Sequence, residues 1–383
     1  MKSGRRRPTV YDVAERAGVS IATVSFSFRR PDQVREETRN LVLQAAREIG
    51  YIPSASARGL AHGRTGAFGL HSFDLLLEEP QGSEMDSPDP VGSSPRLDIS
   101  QSMIPWDDAN DDLLSNPRAF PLYVDEVQRG FELECNSQGR PVLLSSGAAA
   151  SASVAETAGR VDGLAVFPAP SGLAALEHVS LKMPVVLFST PPADDGHHRV
   201  LVDNDGGMRE LITHLVQDHG ATDLAFVGAL SVADYRERFV AMQATLRSFG
   251  LPAPASELDA TVLGEGRGFA RVLELLRAGT LPAGLVCASD QLALNLLDLL
   301  QSHGVRVPDD VIVTGFDGIL AGRLSRPSIT TVRQPMETMG RVAARLLMDE
   351  TTTPGGVPRV IRLGTKLILR DSCGCPPTPI GTV

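Results

Sequence analysis

The chain has 383 residues, 42% hydrophobic and 21% charged, with 36 Gly and 27 Pro. That length and balance suit two or three domains with sizeable cores and exclude collagen-like, coiled-coil and wholly disordered classes. The net charge of −10 argues against nucleic acid until the chain is divided: residues 1–64 hold 12 Lys/Arg against 6 Asp/Glu, the remainder 24 against 40. A basic head on an acidic body fits a small module that meets a polyanion; a solvated surface of uneven charge is the alternative.

No apolar run approaches the roughly 18–20 residues of a spanning helix, so no membrane partner is expected. The basic start MKSGRRRPTV has no apolar stretch after it and does not read as a secretion signal. Four cysteines, Cys135, Cys287, Cys373 and Cys375, fit a reduced, cytoplasmic protein better than a disulfide scaffold.

In chain order, Thr9-Val10-Tyr11-Asp12 is a capping box. Val10, Val13, Ala14 and Ala17 follow at helical spacing. Gly18 permits a turn and Ser20 caps a second helix to about Phe28. A third helix fits 36–49, with Leu41, Ala45, Ala46 and Ile49 inward and Gly50 as its stop. Helix, glycine turn and helix within 20 residues is the helix-turn-helix plan, whose second helix enters the major groove. A short strand is expected at 66–73.

Residues 74–112 hold 11 acidic residues against one basic residue, with five prolines, and read as an acidic loop. From residue 120, short apolar runs at 141–145, 162–167, 184–188, 223–228, 284–288 and 311–316 alternate with helical periods at 122–138, 205–219, 236–249, 265–278, 289–303 and 336–350. Repeated βα units of this kind mean doubly wound parallel sheets, and their number fits two lobes.

The stretches TVYDVAERAGVSIATVS and GYIPSASARGLAHGRTG, followed by VLVDNDGG, LAFVGA, VCASDQLAL, VPDDVIVTGFDG and SITTVRQPMETMG, resemble the lactose-repressor/galactose-repressor family of bacterial transcription regulators. The resemblance spans nearly the whole chain except 74–115, which looks like an insertion near the cleft mouth; deleting it should alter ligand affinity or selectivity if it covers the site. The fold implied is an N-terminal all-α helix-turn-helix head plus an α/β body of two Rossmann-like, periplasmic-binding-protein-like lobes. The boundaries implied are 1–53 for the DNA-binding domain, 54–64 for a hinge helix or linker, 65–372 for the effector-binding and dimerisation domain, and 373–383 for a tail.

The resemblance also implies roles. DNA contacts fall on Tyr11, Ser20, Ile21, Ala22, Ser25, Phe26, Arg29 and Arg35, with Arg58 and Leu60 in the hinge, where Leu60 would wedge into the minor groove. Phe26 stands where the family usually has an arginine. It can touch a thymine methyl but cannot grip guanine, so an operator read through methyl groups and shape is expected, unless Phe26 belongs to the core. Arg35 replaces the usual Ser or Thr cap of the third helix. Arg30, Arg35 and Arg39 read equally as phosphate contacts or as solvated charges.

Effector contacts fall on Tyr123, Asp203, Arg238, Asp290 and Asp317. Carboxylates and a guanidinium at a cleft can grip vicinal hydroxyls by charge-assisted hydrogen bonds. Each aspartate reads alternatively as a helix cap.

Other chemistry is sparse. Gly264-x-Gly266-x-Gly268 lacks dinucleotide-site spacing. Cys373-Gly-Cys375 is a two-ligand fragment without a partner pair, so no metal is expected. His197 and His198 read as solvated loop residues. No nucleophile–base pair or cofactor motif occurs, so neither an enzyme nor a cofactor is expected. The leading reading is an effector-responsive repressor: a homodimer on a palindromic double-stranded DNA operator, released or tightened by a sugar or nucleoside. The alternative is a sugar- or solute-binding module that has lost specific DNA recognition through Phe26.

Overall fold

Small apolar side chains at helical spacing build the N-terminal unit. The computed structural model describes residues 8–29, 33–51, 65–73, 122–147, 151–167, 176, 179, 183–260, 269–349 and 357–376. It divides into two units, 1–66 and 67–383.

The first unit holds α1 (Val10–Ala17), α2 (Ile21–Arg29) and α3 (Glu36–Ile49). Asp12 accepts hydrogen bonds from the Thr9 N–H (2.6 Å) and the Thr9 hydroxyl (2.7 Å). Gly18 turns the chain with φ 65°, a left-handed conformation that glycine adopts without Cβ strain. Ser20 Oγ then accepts the Thr23 N–H at 3.1 Å, capping α2 as expected.

The core of this unit is Val13, Ala14, Ala17, Val24, Val42, Ala45 and Ala46, with Phe28, Ile49 and Tyr51 at its margin. One expectation is corrected. Leu41 is 49% exposed and Val42 takes the inward place. The buried stripe of α3 runs 42, 45, 46, 49, a clean i, i+3, i+4, i+7 set that leaves 41 about 100° off the face.

The second unit contains two sheets. The six-stranded sheet has β1 (Phe68–Phe73), β2 (Val142–Gly147), β3 (Leu164–Phe167), β4 (Val185–Phe188), β5 (His198–Val202) and β10 (Val360–Leu363), in the order β10-β5-β4-β3-β1-β2. The five-stranded sheet has β6 (Leu224–Val227), β7 (Gly284–Cys287), β8 (Ile312–Asp317), β9 (Thr330–Arg333) and β11 (Lys366–Ile368), in the order β11-β9-β8-β7-β6. Every pairing is parallel except β11 with β9.

Helices cover these sheets: α4 (Leu122–Ser137), α5 (Ser151–Ala158), α6 (Asn204–His219), α7 (Ala233–Ser248), α8 (Ala270–Ala278), α9 (Asp290–Ser302), α10 (Leu320–Leu324) and α11 (Met336–Met348).

The unbroken apolar runs follow from two-sided burial. Ala165, Phe167, Val186 and Phe188 pack on one face with α4 and α11, while Leu164, Val166, Val185 and Leu187 pack on the other with Val154. In the first lobe α4 and α11 meet backbone to backbone: a Cβ on Gly130 would overlap the Glu337 carbonyl, and one on Gly340 the Val127 carbonyl. The chain crosses between lobes three times, after β5, after β9 and after β10.

The observed helices match the expected ones to within a few residues; α8 is described from Ala270, and residues 265–268 of the expected helix lie outside the described residues. Strands β5, β9, β10 and β11 and helices α5 and α10 are additions. His197 and His198, expected in a solvated loop, are 2% and 4% exposed. His198 opens β5 and its Nδ1 accepts the Arg359 N–H at 3.0 Å. The hinge residues Arg58 and Leu60, the acidic segment 74–115, Arg30 and the Gly264–Gly268 run lie outside the described residues.

Candidate functional site

Two surfaces gather the expected residues. On α2, Ser27 (4% exposed) and Val24 turn inward while Ile21 (42%) and Phe26 (44%) face solvent, with Ala22 exposed and Ser25 half-buried beside them. Phe26 therefore does not belong to the core. Tyr11, on α1, is exposed as well. Arg35 begins α3 without a side-chain cap. Arg29 ends α2. A helix that keeps apolar side chains outside a small core has a face ready to bury them elsewhere.

The second surface lies between the two lobes. Arg238 of α7 is 2% exposed. Its Nε donates to Asn204 Oδ1 at 2.9 Å and its Nη1 to the Ala288 carbonyl at 2.6 Å. The guanidinium lies 3.7 Å from the Phe316 ring centre, a cation–π contact, and within 3.7–3.8 Å of the Asp317 and Asp234 carboxylates. Asn204 also donates to Asp234 (3.1 Å) and Glu237 (2.9 Å).

Asp317 closes β8 with φ 117°. Its carboxylate accepts from Gln334 Nε2 at 2.6 Å and from the Asp290 N–H. Gln334 sits at the second lobe crossing and its backbone N–H bonds the Asp317 carbonyl. Burial pushes the Asp317 carboxyl up while Arg238 holds it down.

Facing this cluster from the first lobe, Tyr123 Oη lies 3.3 Å from Ser189 Oγ, and its ring stands edge-on to Phe167, which stacks on Phe188 at 4.4 Å. Burial, then Asp234, raises the Tyr123 hydroxyl; burial, then Asp317, raises that of Tyr235. Both stay protonated donors. Arg333 of β9 bridges to Glu126 of α4 across the lobes.

Two expected effector residues also make contacts within the fold. Asp203 caps α6, accepting the Gly206 N–H at 3.0 Å, while its own N–H bonds the Leu363 carbonyl at the third crossing. It borders a groove with Asp205, Arg236, Glu237 and Arg362, and its neighbour Asn204 takes the place beside Arg238. Asp290 is fully buried and ties the β8–α10 loop, accepting from the Ile319 N–H (2.8 Å) and the Thr331 hydroxyl (2.5 Å). Burial, then Asp317, drives its carboxyl well up. Sequence reasoning missed Asn204, Asp234, Tyr235 and Gln334, polar residues at loop and helix starts whose local signal is that of a cap.

Together Arg238, Asn204, Asp234 and Asp317 offer fixed donors and acceptors beside the aromatic rings of Tyr123 and Tyr235, the chemistry of a polyhydroxylated ligand. Residues able to ligate a metal converge elsewhere: His214 and His219, the partner pair that Cys373-Gly-Cys375 lacked in sequence, lie at the other end of α6 beside Cys373 and Cys375.

Residues 9–54 match the DNA-binding domain described as bacterial regulatory proteins, lacI family, and residues 212–373 match the periplasmic binding protein-like domain. The chain is 28% identical to an uncharacterised helix-turn-helix transcriptional regulator, YvdE, of Bacillus subtilis (strain 168), over 95% of this chain and 99% of that one. The lac repressor dimer bound to operator and anti-inducer superposes with a TM-score of 0.73 at 22% identity, covering 96% of this chain and 99% of that one. The transcriptional regulator CelR in complex with cellobiose gives 0.61 at 25% identity, over 96% and 100%.

The helix-turn-helix head and two-lobed body are thus those of a DNA-binding transcriptional regulator, not an enzyme. The chain carries a lacI-family match at residues 9–54 and is similar along nearly its whole length to helix-turn-helix transcriptional regulators. Among the described residues no helix is long and apolar enough to cross a membrane.

Proposed function

We propose that this chain is an effector-responsive repressor that works in the cytoplasm as a homodimer, each protomer reading half of a palindromic operator. The reading assigns residues 1–53 to DNA, 54–64 to a hinge, 65–372 to effector binding and dimerisation, and 373–383 to a tail. Tyr11, Ser20, Ile21, Ala22, Ser25, Phe26, Arg29 and Arg35, with Arg58 and Leu60, face the duplex. The observation that carries the effector half is the buried Arg238–Asn204–Asp234–Asp317 cluster opposite Tyr123. It suits a sugar or nucleoside, and cellobiose in the similar CelR supports the sugar class. Asp203 and Asp290 contribute by holding the crossing and the β8 loop.

An effector that favours one lobe arrangement shifts the DNA-competent population, and a tenfold change in operator affinity needs only about 1.4 kcal/mol of coupling. The test is selection of bound duplexes from a random pool, then a screen of sugars and nucleosides for release or tightening of the selected duplex. Asp317→Asn should keep the selected sequence and lose the response. A chain with no sequence preference and no steep dependence on salt would instead be a solute binder, and the repressor reading would fall.

A further inference from the structure

The C-terminal end of α6 and the last described turn of the chain, 159 residues apart for His214 and Cys373, bring two imidazoles and two thiols together. His214 Nε2 lies 3.1 Å from His219 Nε2, 3.5 Å from Cys375 Sγ and 3.7 Å from Cys373 Sγ. Cys375 Sγ lies 3.3 Å from His219 Nε2, and all four atoms fall within 4.8 Å of one another. A tetrahedral zinc, with Zn–S about 2.3 Å and Zn–N about 2.0 Å, sets its ligand atoms roughly 3.3–3.8 Å apart. Four of the distances therefore stand close to those of a coordination sphere.

The surroundings orient the donors. His214 Nδ1 lies 2.6 Å from Asp218 Oδ2. A carboxylate only accepts, so Nδ1 is the donor and Nε2 of the neutral ring points a lone pair at His219 and both sulfurs. A carboxylate behind a ligating imidazole is the usual outer partner of a zinc histidine. The Thr330 hydroxyl lies 3.0 Å from Cys373 Sγ. Gly374, at φ 95°, turns the chain between the two cysteines. Cys373 is 1% exposed, so the sulfur is held inside the second lobe.

We propose that His214, His219, Cys373 and Cys375 form a tetrahedral Zn²⁺ site that clamps the end of β11 and its following turn to α6. Binding displaces the two thiol protons to solvent and leaves a neutral Cys₂His₂ complex. The clamp holds the opposite end of the helix that presents Asn204 to Arg238, so it stiffens the second lobe without touching the effector.

The test uses the untagged full-length chain, isolated without chelator and analysed for metal by mass spectrometry. About one zinc per chain is expected, with Cys375→Ser and His219→Gln, both at half-buried positions, retaining the wild-type circular dichroism but losing the metal. Stripping the metal should lower the melting temperature of the wild type by several degrees and leave both variants unmoved. Titrating the stripped chain with Co²⁺ should give the visible bands of a tetrahedral site and a thiolate charge-transfer band, both absent in Cys375→Ser. A folded chain that binds neither ion would overturn the proposal. So would metal content equal in wild type and Cys375→Ser, or a Cys373–Cys375 disulfide in the freshly isolated protein.

Discussion

The head and the body treat charge and apolar surface in opposite ways. Among its described residues the head buries seven small apolar side chains and leaves Tyr11, Ile21, Phe26 and Leu41 in solvent. The body buries Arg238 and Asp317 inside a lobe lined mostly with Leu, Val and Phe. Burying charge is costly unless each group is paired, whereas exposing a phenyl ring in a free head is a modest loss that a partner surface recovers. Each unit therefore departs from an ordinary globular pattern at the surface to which the proposed function assigns a partner: a duplex for the head, a small polar molecule for the body.

The largest effect expected from breaking this contrast is at Arg238. Arg238→Ala leaves Asp317 and Asp234 without their cation and should cost about 3–5 kcal/mol by chemical denaturation, with the effector response lost. A loss below about 1 kcal/mol would mean that the buried charges need no pairing. Next comes Gly130→Ala, where the added methyl meets the Glu337 carbonyl of α11. Separating the two helices should cost roughly 1–3 kcal/mol, read from the same denaturation curves.

The contrast also has a pH signature. The carboxyl of Asp290 is raised in the fold, so between about pH 4 and that raised value the unfolded chain has lost the proton and the folded chain has kept it. Stability should fall as pH rises through this window and level off above it. Asp290→Asn should flatten part of that slope in melting temperature against pH, and an unchanged slope would place the titration elsewhere. The smallest effect on stability is expected from Phe26→Ala, within about 0.5 kcal/mol. Its weight should appear instead as weakened operator binding; a variant that melts early but binds normally would return Phe26 to the core.

The sequence revealed the head through local periodicity. Its one slip, Leu41 for Val42, came from counting apolar residues without fixing the face. The first-lobe and second-lobe strands with pure apolar runs were legible for the same reason. Strands β5 and β9 were not, since His198-Arg199 and Thr330-Thr331 read as polar although the fold buries all four. The edge strands β10 and β11 carry Arg362 and Lys366, and their pairing is decided by remote neighbours.

At the cleft, Arg238 and Asp317 were visible from the resemblance. Asn204, Asp234 and Gln334 were not, because a polar residue at a helix start looks alike whether it caps or binds. The histidines facing Cys373 and Cys375 could not be paired from local spacing at all.

The three crossings between lobes have a consequence for the order of synthesis. Strands β1 to β5 emerge from the ribosome early, yet α11 and β10, which complete the first lobe, follow the whole of β6 to β9. A nascent chain halted after β9 has neither lobe finished, since the second still lacks β11. Premature stop codons even near residue 335 should thus yield no half-working sensor, only material for proteases.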